Sequence, residues 1–148
     1  SCFFITCCVK KKGLEVCCEC NAFPCSKFDK ETGETDSFIT HRRVIQNQNY
    51  IKEHGIIAFI EQQNKRMVLL QTLLKYYNDG YCKSFFCLAA ALLSLKSLNE
   101  SLLKAEKEIQ EKLVGKEDLK SKAKIMREIL NKIAVEDNEE LKLRKGKK

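Results

Sequence analysis

Cysteine carries the most chemistry in this sequence, and it is crowded at one end. Seven of the nine cysteines lie in CFFITCCVKKKGLEVCCECNAFPC: Cys2, Cys7, Cys8, Cys17, Cys18, Cys20 and Cys25. A deprotonated thiol is a nucleophile, a redox partner or a soft metal ligand, and spacing decides among these. Cys17 and Cys20 form C-x2-C, which lets two thiolates on one tight turn reach the same ion. Cys2 and Cys7 are spaced C-x4-C, as are Cys20 and Cys25. Three such pairs in one short stretch are far more specific than C-x2-C alone. Tetrahedral zinc takes four ligands. Cys7, Cys17, Cys20 and Cys25 are the best four, with Cys2 as a fifth candidate. Adjacent cysteines rarely both reach one ion, so Cys8 and Cys18 are set aside. Lys10, Lys11 and Lys12 would help depress thiol pKa values and offset the charge of a four-thiolate site. An iron–sulfur cluster also takes four thiolates and is the alternative. The absence of the C-x2-C-x2-C run of bacterial ferredoxins favours zinc.

An odd number of cysteines, bunched in a chain long enough to build an ordinary core, does not suit a disulfide framework. In a reducing compartment such a cluster is more often metal-binding. The N-terminus lacks a charged segment followed by an apolar one. The longest apolar run, Phe85 to Leu93, is half a membrane span. The expectation is a cytoplasmic protein with no membrane partner.

Formal net charge is +7, and residues 142–148 contribute five basic groups and no acid. Without them the balance is about +2. Such an end, with Lys10–Lys12, can bind nucleic acid weakly; the plainer reading is a solvated terminus. Aromatics are not interleaved with the basic residues as in single-strand binders. Phosphate loop, dinucleotide fingerprint, zinc-protease helix and nucleophile elbow are all missing. No nucleophile–base pair can be named, so catalysis is not expected. His41 and His54 are lone histidines flanking a helix, where surface or capping roles are commoner.

The elements that must hold the cysteines read as mainly α. A cysteine-rich module spans 1–30, with Gly13 at a turn and a short helix opening at Pro24. A polar connection over 31–39 leads to a helical domain over 40–135, arranged as a bundle or hairpin array. A charged tail, expected to be disordered, fills 136–148. Within the helical domain, 41–53 forms a helix stopped by His54-Gly55. A second runs over 56–78, with Ile56, Phe59, Ile60, Met67, Leu70, Leu74 and Tyr77 recurring at helical steps; Asn78-Asp79-Gly80 ends it. Residues 83–95 are apolar all round and predict the central buried helix, with Cys87 as a core residue. Ser97 and Glu100 form a capping box. Leu98, Leu102, Ala105, Ile109 and Leu113 form one stripe; Leu119, Ala123, Met126, Leu130 and Ile133 form another. These seams are narrow, so the hairpin over 97–135 must pack on the central helix or on a partner, with a homodimer favoured.

One stretch resembles a known family. Cys17-x2-Cys20-Asn-Ala-Phe23-Pro24-Cys25-Ser-Lys27-Phe28 is similar to the C-x2-C-x-x-F/Y-P-C-x-K stretch of the cysteine-rich prokaryotic family called domain of unknown function, number 3795. Ile51–Gly55 with Phe59–Gln63 resembles its I-K-E-x-G…W-L-E-E-Q region. Asn78–Cys87 resembles its N-D-G-R-x-K-S-F-F-C stretch. The likeness covers residues 2–95. It implies zinc binding through cysteines, does not by itself imply an enzymatic activity, and gives Lys83 and Cys87 a role beyond packing. Family members begin with a further C-G-x-x-C-x-x-C segment. Either that segment is lost here or the sequence starts inside the module, which leaves the full ligand set open.

Overall fold

The computed structural model describes residues 2–28, 35–36 and 40–145. Among them helix dominates and no strand occurs. The chain divides into two compact units, residues 1–62 with 143–148, and residues 63–142.

The first unit opens with a π-helix, Ile5–Lys11. Gly13 follows at φ +64, a left-handed conformation that glycine adopts without a Cβ penalty. That reversal closes with Leu14 N–H donating to the Cys8 carbonyl (3.0 Å). A 3₁₀ turn, Cys17–Glu19, comes next. The Glu19 carboxylate fixes its start by accepting from the backbone N–H groups of Glu15 (2.9 Å) and Val16 (3.2 Å). The Phe23–Pro24 peptide is cis. Pro24 lies in a bend rather than opening a helix; helical backbone begins at Lys27, and the rest of the expected 24–30 helix and most of the 31–39 connection lie outside the described residues. Helix α1, Val44–Tyr76, is broken at Gly55 (φ 86, ψ 162), as the His54-Gly55 stop predicts. A Cβ at Gly55 would meet nothing within 4 Å, so the requirement there is backbone conformation and not space. In the 44–54 arm Ile51 is buried, with Val44 and Tyr50 half-buried.

The second unit is a helical core. The 63–76 part of α1 buries Arg66 and Leu73, followed by Tyr77, while Met67 is exposed; in the first unit Ile60 is exposed too. The sequence seam through Ile60 and Met67 is therefore corrected. It missed because Arg66 counts as a charge, yet its guanidinium donates to the carbonyls of Ala90 (2.9 Å) and Leu93 (2.5 Å), at the end of the next helix. Asn78 Oδ1 accepts from Gly80 N–H and Cys82 N–H and closes the turn.

Helix α2, Lys83–Leu92, buries Phe86, Ala89, Ala90 and Leu92. Helix α3, Leu95–Glu111, is capped by Ser94, whose Oγ accepts from Ser97 N–H at 3.0 Å. The predicted Ser97–Glu100 box is corrected by this, because the helix starts earlier. Ser97 is already inside it and donates to Asp137 Oδ2 (2.7 Å), and Glu100 pairs forward with Lys104 (2.7 Å). Helix α4, Leu119–Glu136, is capped by Asp118 through Ser121 N–H.

Leu98, Ala105, Ala123, Met126, Leu130 and Ile133 form one buried cluster with Leu73, Phe86 and Leu92. The α3–α4 stripes thus bury in the chain's own core, which removes the reason for seating them on a partner. Leu113 and Leu119 fall outside that core, Leu113 being 90% exposed at φ +52. Within the expected tail, Leu141 is buried in the cluster, and Arg144, in the first unit, donates its N–H to the Asp36 carboxylate and accepts the Asp36 N–H on its carbonyl, each at 2.9 Å.

Candidate metal centre

Three local structures bring the cysteines together. In the π-helix the wider turn presents both Cys7 and Cys8 to one side; π turns are rare and recur at functional sites. The 3₁₀ turn presents Cys17 and Cys20, joined by Cys20 N–H donating to the Cys17 carbonyl at 3.1 Å. The next turn, closed by Phe23 N–H on the Cys20 carbonyl (2.9 Å), brings in Cys25. Cys7, Cys8, Cys17, Cys20 and Cys25 line one cavity of about 220 Å³. Phe4, Phe23 and Phe28 form its apolar wall, with Phe28 buried and 4.7 Å from Phe4 and 5.3 Å from Phe23 between ring centres.

The four cysteines picked out by spacing therefore share a cavity. Cys2 is exposed and does not line it. Cys18 is buried elsewhere: its N–H donates to Gln48 Oε1 (2.9 Å) on α1, and burial pushes its thiol pKa up. Cys8 was passed over as the neighbour of Cys7. It is buried, lines the cavity and donates to the Leu14 carbonyl at 3.5 Å. His41, His54, Cys82, Lys83 and Cys87 all lie outside the cavity. Cys82 packs in the helical core, and Cys87 is half-buried.

Two ammonium groups enter the cavity. Lys12 Nζ donates to Cys20 Sγ and Lys27 Nζ to Cys7 Sγ, each at 2.8 Å. These hydrogen bonds hold the Cys20 and Cys7 thiols below the usual cysteine range, and they raise both lysines. Cys17 has no such donor. Burial, then the hydrogen bond with Cys8 and the nearby sulfur charge, push its pKa up to about 12. Lys10 and Lys11 do not line the cavity, so the basic triplet reduces here to Lys12. Lys27 was missed as a functional residue, although it stands in the Pro24-Cys25-x-Lys27 stretch.

Among the described residues no three His, Cys, Asp or Glu side chains are gathered closely enough to ligate one ion. The donor chemistry of the cavity fits a thiophilic metal all the same. It holds several sulfurs, two of them hydrogen-bonded by lysine ammonium groups, and no carboxylate or imidazole among its lining residues. Comparison with family models, curated proteins and solved structures found no match.

Proposed function

We propose that residues 2–28 form a zinc-binding module in which Cys7, Cys17, Cys20 and Cys25 hold the ion, serving structure and interaction rather than catalysis. The observation that carries this reading is that the four cysteines picked by spacing line one cavity. Lys12 and Lys27 support it by putting positive charge against sulfur in that cavity. A divalent cation would also reverse the condition of Cys17, because a coordinating thiol is deprotonated outright. The likeness of residues 17–28 to domain of unknown function 3795 points the same way.

The size of the cavity favours a second reading. At about 220 Å³ it has several times the roughly 30 Å³ of one water, which is room for an iron–sulfur cluster with hydrogen bonds to its sulfurs. Elemental analysis of anaerobically purified full chain decides between them. Stoichiometric zinc without iron or sulfide supports the first reading; brown protein with iron and labile sulfide supports the second. Protein that retains neither, and takes up neither zinc nor cobalt in reducing buffer, removes both.

A further inference from the structure

The lysine–sulfur pairs are crossed. Lys12, from the first cysteine segment, holds Cys20 of the second; Lys27, from the second, holds Cys7 of the first. Both ammonium groups line the sulfur cavity, and the adjacent Lys10 and Lys11 do not. A divalent ion held by four thiolates carries about two excess negative charges. The Phe4, Phe23 and Phe28 side of the cavity wall is apolar and supplies no countercharge. Two fixed ammonium groups match that excess in number and position.

Resting on the zinc reading above, we infer that Lys12 and Lys27 are positioning residues of the metal centre: each keeps its N–H···S bond to Cys20 or Cys7 when metal is bound, and together they neutralise the four-thiolate site. Neutralisation gives a centre that binds tightly and whose thiolates are held inert, as suits a structural role.

The test uses the full chain with Lys12→Met, Lys27→Met and the double variant, with Lys10→Met as control. Zinc affinity is measured by chelator competition, and the thiolate-to-metal charge-transfer band is read after cobalt substitution. Loss of an outer partner lowers metal affinity by about 10–100-fold. Each single variant should fall in that range, the double variant further, and the cobalt band should shift; Lys10→Met should change neither. Lys→Arg keeps the charge and should restore most of the affinity, whereas Lys→Gln keeps a donor only and should not. If the Met variants fail to fold, the Arg and Gln pair decides. A double variant with wild-type affinity and cobalt spectrum overturns the lysine assignment and leaves the zinc reading standing, as does Gln matching Arg. A wild type that binds neither zinc nor cobalt overturns the zinc reading and this inference with it.

Discussion

Cys17 and Cys20 stand three residues apart on one turn, yet under opposite electrostatic conditions. Lys12 stabilises the Cys20 thiolate, while burial and neighbouring sulfur oppose the Cys17 thiolate. On the zinc reading the proposed ligands are the cavity-lining cysteines that spacing also picks out. Cys20→Ser should release most of the bound metal, because it removes both a sulfur and the anchor of Lys12. Cys2→Ser should leave stoichiometry unchanged, because Cys2 lies outside the cavity. Elemental analysis of the two variants checks this, and the reverse pattern would move the site to the N-terminal edge of the module. Spacing alone picks out Cys7, Cys17, Cys20 and Cys25, and all four line the cavity. It could not show that Cys8 lines it too, since setting neighbours aside assumes an ordinary backbone and Ile5–Lys11 is a π-helix. Nor could it assign Lys27, whose role depends on the fold bringing it back to Cys7, twenty residues away.

At the scale of elements, strong local signals are legible in the sequence and tertiary ones are not. Gly55 and the Asn78 turn stop the helix where their chemistry requires it. The apolar run over 83–92 buries Phe86, Ala89, Ala90 and Leu92 but leaves Ala91 exposed and Phe85, Cys87 and Leu88 half-buried, so it is not buried all round. The start of α3 was misplaced because two serines compete for it, and only the extended backbone of Ser94 (φ −68, ψ 156) identifies the cap. This yields a clean comparison. Ser94→Ala should cost about 1 kcal/mol, the usual loss for an N-cap. Glu100→Ala removes a half-exposed pair with Lys104 and should cost clearly less than the cap. Denaturant melts of both variants measure the difference. A larger loss from Glu100→Ala would restore the capping box at Ser97. The α1 seam was hidden for another reason: a periodicity count treats Arg66 as solvent-facing, whereas here it satisfies the carbonyls that end α2.

At the scale of the molecule, the two units draw on separate sources of stability. In the first, Asp36 anchors Arg144 across the length of the chain. Burial alone would raise its pKa. The Arg144 N–H, the Thr40 hydroxyl, the His41 N–H and the Arg42 charge outweigh burial and hold it below the usual carboxylate value. A folded pKa below the unfolded one means the anchor stabilises at higher pH and is lost as pH falls through the folded value, below about pH 4. Hydrogen exchange at the Arg144 amide should therefore lose protection in acid, and Asp36→Ala should abolish both the protection and its pH dependence. Protection that persists in Asp36→Ala would assign the anchor to the backbone pair alone. The second unit is built chiefly on apolar packing. Its buried cluster runs from Leu73 to Leu141 and includes no residue of the sulfur cavity, whose lining spans Phe4 to Phe28. Helical stability comes chiefly from packing apolar faces, so the helical core should be indifferent to metal and the module indifferent to core mutations. Leu130 is fully buried in that core. Leu130→Ala should lower its stability by about 2–5 kcal/mol and leave metal content as in the wild type. Conversely, adding EDTA to the wild type should open residues 2–28 to proteolysis while most of the helical circular dichroism survives. If chelation instead erases the helical signal, the metal nucleates the whole fold, and the separation inferred from the two sets of residues is wrong.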